Sequence, residues 1–149
     1  MTADRCPAAG THPSPEEASV PSTIVLVNDR PEGDTALRWA TDHARRRGTA
    51  LHVVLARADS PAAPEYGSPS LRARIATRLL DGGLPHRLHD PEEDVADQVD
   101  RLATAAGADL VVVPVRRRSP ALKLVLGSFA QRIILDAPCP VVTVKSPDR

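Results

Sequence analysis

The stretch DLVVVPVRRRSPALKLVLGSF, Asp109 to Phe129, decides how this chain is read. Leu110–Val113 is a continuous apolar run, the signature of a strand covered on both faces. A loop with three consecutive arginines, Arg116, Arg117 and Arg118, follows it. Gly127-Ser128 then opens a helix. Strand, basic loop and Gly-Ser at a helix start is the layout of a phosphate cradle. Pro114 and Arg117, however, stand where such cradles usually have glycine.

The same alternation runs upstream. Thr23–Val27 is a β-branched run that predicts a first strand, with Asn28–Gly33 as the loop after it. A helix to about Arg47 follows, with Ala36, Leu37, Ala40 and Ala44 on one face and Gly48 as its stop. Leu51–Leu55 predicts a second strand, and the segment from Ala56 to Gly67 a Pro-rich loop. Ser68-Pro69 starts a helix with Leu71, Ile75 and Leu79 in register, closed by Gly82-Gly83. Leu84–Leu88 is a weaker third strand. Asp90-Pro91-Glu92-Glu93 predicts a helix start with Asp90 as N-cap. Val95, Val99, Leu102 and Ala106 form that helix's stripe, and Gly107 ends it. Beyond the Asp109–Pro114 strand segment, Ala130, Ile133 and Ile134 should face inward from the helix after Gly127. Val141–Val144 is the fifth strand. Strands alternating with helices at these lengths give an α/β domain with a parallel sheet and right-handed crossovers. Ligands of such sheets sit beyond the carboxyl ends of the strands, at the switch point of the winding.

Composition sets bounds on function. The 149 residues are 42% hydrophobic and 26% charged, with one Trp, one Tyr and one Phe, so an aliphatic core is expected. Formal net charge is zero, which gives no long-range attraction to nucleic acid or anionic membrane. The apolar runs are too short for a bilayer span, which needs about 20 residues. Asp4, Arg5, Glu16 and Glu17 near the start, without an apolar segment, do not make a secretory signal. The chain is read as cytoplasmic. Residues 1–21 are rich in Pro, Ala, Ser and Glu and aperiodic, which predicts a disordered tail ahead of a domain over 22–149.

Two segments resemble the universal stress protein family: "GADLVVVPVRRR" with "LVLGSFAQRIILDAPCPVVTV", and "TIVLVNDRPEGDTALRWA" with "RRRGTALHVVLA". The resemblance covers roughly Ser22 to Lys145. It implies a three-layer α/β/α sandwich around a five-stranded sheet of order 3-2-1-4-5. It also implies dimerisation, often through the last strand (here Val141, Val142 and Val144), and in some members ATP over strands one and four. The family's phosphate motif is Gly, two residues, Gly, nine residues, Gly, then Ser or Thr. Anchored on Gly127-Ser128, its first two glycines fall on Pro114 and Arg117. The family aspartate that ends the first strand is replaced by Asn28, with Asp29 beside it. Members lacking the motif often do not bind ATP.

These departures have physical consequences. Pro114 has no N–H to offer, and Arg117 cannot easily take the left-handed conformation that glycine allows. One lost charge-assisted hydrogen bond is worth about 1.5–3 kcal/mol, so two degraded positions weaken affinity by roughly a hundredfold or more. Against this, Arg116, Arg117 and Arg118 carry guanidinium donors, and Gly127-Ser128 keeps a helix N-terminus and a hydroxyl. Asn28 can bond a ribose hydroxyl but brings no charge for Mg²⁺.

Each feature also has a plainer explanation. The arginines can be a solvated loop, Gly127-Ser128 a helix cap, and Asn28-Asp29 a turn. His86-x-x-His89-Asp90 places donors near one another, yet Asp90 is explained as a cap, so no metal site is assigned. Cys139 is read as a packed thiol and Cys6 as an exposed one. "LGSFA" is not a nucleophile elbow, so Ser128 is not assigned as a nucleophile. Two functions follow: a non-enzymatic stress-response protein that acts by partner binding or self-association, its nucleotide site degenerate; or a true ATP or AMP binder.

Overall fold

The computed structural model of the chain describes residues 21–56, 69–115 and 128–146. Nine elements alternate: β1 Ser22–Val27, α1 Pro31–Arg47, β2 Ala50–Leu55, α2 Pro69–Gly82, β3 His86–His89, α3 Val95–Ala106, β4 Ala108–Val115, α4 Ser128–Asp136 and β5 Val141–Lys145. The strands form one parallel sheet of order β3-β2-β1-β4-β5. The expected α/β/α sandwich and strand order are therefore observed.

Alternation along the strands builds two cores. Val25, Val53, Leu55, Val112 and Val144 face α1 and α2, against Leu37, Ala40, Ile75 and Leu79. Ile24, Leu26, Val54, Val111 and Val113 face α3 and α4, against Val95, Val99, Ala130 and Ile133. All six β1 residues are buried, as a central parallel strand requires. Fully burying each Leu, Ile or Val contributes about 1.5–3 kcal/mol. At the amino end of the sheet, the Thr23 and Thr49 hydroxyls bond each other at 2.9 Å, which satisfies two buried polar groups.

Several boundaries differ from the sequence reading. Helix α1 begins at Pro31, inside the expected loop; Pro31 at the first helical position needs no N–H partner. Strand β3 begins at His86 instead of Leu84. Pro85 cannot donate to the ladder, and its carbonyl accepts the Leu51 N–H at 2.9 Å. Helix α3 is capped by Asp94, whose carboxylate accepts the Asp97 N–H at 3.0 Å; Asp90 is not the cap. Buried Gln98 holds the intervening segment, accepting from the Glu92 N–H and donating to the Asp90 carbonyl. Ile134 is 37% exposed, so Ala130 and Ile133 face inward and Ile134 does not. No helix among the described residues is long and apolar enough to cross a membrane.

Candidate functional site

In this winding the switch point lies between β1 and β4, whose successors run to opposite edges of the sheet. The β1–β4 ladder ends early on that side of the sheet. Its last pair is Val25↔Val112. The Val111 N–H donates to the Pro140 carbonyl, on the β5 side. By alternation Val112 and position 114 point their backbone groups toward β1. The next donor in the ladder would be the N–H of residue 114, aimed at the Leu26 carbonyl. Pro114 has none, so the ladder stops there. Pro114 lies within β4, in register with Val144 of β5.

Asn28 directly follows β1 and is half-buried; its Oδ1 is buried without a protein partner. The first turn of α1 lies over it. A Cβ at position 33 would overlap the backbone and side-chain atoms of Asn28, so only glycine fits there. Glu32, in the same turn, is buried where a helix N-terminus favours a carboxylate. On the other flank the Ala56 N–H donates to the Val27 carbonyl at 2.8 Å, which fixes the end of β2 against that of β1. The structure therefore brings Gly33 against Asn28 and Ala56 against Val27 at the carboxyl end of β1, with Pro114 on the neighbouring strand β4.

Asp29 turns outward and is exposed. Arg74 of α2 reaches its carboxylate at 3.4 Å and that of Asp34 at 3.9 Å. The same arginine lines an open groove of about 650 Å³ between α1 and α2, with Leu37, Arg78 and Asp81. Arg116, Arg117, Arg118 and Gly127 lie outside the described residues. Ser128 is the first residue of α4, and its side chain also lies outside them.

The histidine motif separates. His86 and His89 are three apart on β3 and point to opposite faces. His86 bonds the Leu84 carbonyl through Nδ1 at 2.8 Å, while His89 meets His52 of β2. Cys139 is half-buried; burial, followed by the nearby Asp109 charge, raises its thiol above the usual range.

The sequence model of the universal stress protein family matches residues 22–145. This chain belongs to that family. Its relatives include a universal stress protein of Mycolicibacterium smegmatis, 34% identical over 126 residues, which cover 82% of this chain and 95% of that protein. Among solved structures, the universal stress protein from Archaeoglobus fulgidus in complex with dAMP aligns with a TM-score of 0.56 at 22% identity. The alignment covers 86% of this chain and 99% of that one. A universal stress protein family protein from Arabidopsis thaliana with AMP bound aligns with a TM-score of 0.59 at 18% identity, over 85% and 92% of the two chains. At these identities the two structures speak for the universal stress protein fold.

Three features of this universal stress protein escaped sequence reading. The Gly33 contact was hidden because glycine early in a helix resembles a loop residue. Arg74 is one of three arginines on α2, with nothing in the spacing to single it out. The His52–His89 pairing joins strands 37 residues apart, which only the parallel register discloses.

Proposed function

We propose that this universal stress protein acts without turnover, by self-association or by binding a protein partner, and that its crevice is degraded as a triphosphate site. The observation that carries this is Pro114. Where the β1–β4 pairing ends, the backbone offers a fixed φ and no N–H. Asn28 adds to it, since an amide at the end of β1 brings no charge for Mg²⁺. In this reading the remnant site is made of Asn28, Pro114, Arg116, Arg117, Gly127 and Ser128, while Asp29 is drawn away to Arg74. Self-association runs through β5, using Val141, Val142 and Val144. That strand is an edge of the sheet, and the neighbouring α4 exposes 81% of Leu135. The setting is a cytoplasmic stress response.

One observation favours a second reading, a working adenine-nucleotide site. The Asn28 Oδ1 is a buried acceptor without a protein partner, and a ribose hydroxyl or an amino group would satisfy it. The dAMP and AMP held by the two structural relatives are of that chemical class. Arg116–Arg118 and Gly127-Ser128 would then hold the phosphates.

Thermal stability of the purified chain in ATP, with and without Mg²⁺, separates the two. Ligand at a hundred times its Kd stabilises by about 2.7 kcal/mol. The first reading predicts no shift at millimolar ATP; a clear shift establishes the second. A shift that survives Arg117→Ala and vanishes in Ser128→Ala locates the phosphates at the start of α4. Under the first reading, Pro114→Gly combined with Arg117→Gly creates ATP binding where wild type has little. If binding stays weak, the ribose or adenine pocket is lost as well.

A further inference from the structure

We propose that His52 and His89 form an acid-sensing latch that holds the edge strand β3 on β2 while neutral and releases it when both rings are protonated. Register places the pair: His52 is opposite Arg87 and Val54 is opposite His89, so the two imidazoles lie diagonally on one face of the sheet. His52 Nδ1 and His89 Nε2 are 2.9 Å apart, and the rings stack with centroids 5.1 Å apart at 23°. Strand β3 has only four residues, lies at the sheet edge, and pairs on one side alone. A side-chain bond across so short a ladder adds to the backbone pairing and to the packing of Leu88 on the core.

The bond needs one protonated and one bare ring nitrogen. The neutral pair satisfies this, and so does a singly protonated pair. A second proton removes the acceptor and sets two cations against each other. Arg87 on β3 adds a third positive charge facing both rings. Glu92, in the segment leading to α3, is the opposing charge at His89, but Arg101 of α3 holds its carboxylate at 2.6 Å. Asp90, next in sequence to His89, is engaged by Arg72 of α2. His52 is the one titratable residue of β2.

Burial, then His89, then Arg87 lower the His52 pKa to about 4, and burial and Arg87 lower that of His89 against Glu92. The sign follows. Folded values lie below the ordinary value of about 6.5, so the latch is at full strength above that pH. It weakens as pH falls below about 6.5, and His52 stops contributing near 4. Opening uncovers the β2 edge, a row of unpaired backbone groups able to accept another strand.

Hydrogen exchange on the full chain at pH 7 and pH 5, corrected for intrinsic rates, tests the latch. The amides of β2 and β3 should open at least about tenfold more often at pH 5, while those of β1 and β4 keep their protection. The double variant His52→Gln/His89→Gln should lose most of that increase. No increase in wild type, an equal increase in all five strands, or an undiminished increase in the variant would each overturn the proposal. Imidazole ¹⁵N shifts of the wild-type protein give an independent check. Both rings titrating near 6.5 would contradict the latch even if the variant failed to fold.

Discussion

Gly33 and Asn28 show how one atom decides a position. Gly33 lies in the first turn of α1, where replacing glycine by alanine ordinarily gains up to about 1 kcal/mol of helix propensity. Here the added methyl would meet the Asn28 backbone, which cannot rotate away. Overpacking of that kind costs about 1–3 kcal/mol, so the clash outweighs the propensity. Gly33→Ala is expected to destabilise the protein by about 1–2 kcal/mol, measured by urea denaturation; a stabilised variant would show that the Asn28 contact is slack. That Asn28 ends an apolar strand was legible in the sequence. Its orphaned Oδ1 was not, since an unpaired atom is a property of packing and not of sequence.

At the scale of elements, most of the architecture could be read because the apolar periods are unmixed. The stripes of α1 and α2, and the buried run of β1, lie where the sequence placed them. Misreadings fell where two residues of one type compete. Asp90 and Asp94 both precede plausible helix starts; the extension of β3 to His89 and the Gln98 clamp decide for Asp94. Asp94 also receives Arg132 through both carboxylate oxygens at 3.0 Å. Asp94→Ala should therefore lower the melting temperature more than Asp90→Ala; the reverse order would restore Asp90 as the cap. The Asp97 N–H and Arg132 hold the Asp94 carboxyl below the usual range. Its contribution is present at neutral pH and is lost only as pH falls below about 4. Ile133 and Ile134 form a second such pair. Ile133→Ala should cost about 2–5 kcal/mol and Ile134→Ala much less, because Ile134 is partly solvated. Equal costs would mean that α4 is rotated on its core.

For the whole molecule, the parallel sheet followed from alternation and the strand order from the family resemblance, whereas the early end of the β1–β4 ladder needed the register. In the sequence Pro114 closes the fourth strand segment, ahead of the arginine run. The sheet shows it in β4, ending the ladder to β1. The basic segment that would decide phosphate binding, residues 116–127, lies outside the described residues. Self-association through β5 has its own test. By alternation the Val142 and Val144 backbone groups face β4, so the Thr143 N–H points to the open edge. Thr143→Pro removes that outward donor and leaves the β4–β5 ladder intact. Sedimentation should find a wild-type dimer at tens of micromolar and a folded monomeric variant. A wild-type monomer, or a variant that still dimerises, would exclude pairing through β5.

On the proposed function, the end of the β1–β4 ladder at Pro114 leaves too few backbone donors to grip a triphosphate. A crystal of the full chain grown in millimolar ATP and Mg²⁺ tests it most directly. The predicted result is a crevice with no ordered triphosphate. An ordered ATP, with its base and ribose beside Asn28 and its phosphates against the start of α4, would contradict it.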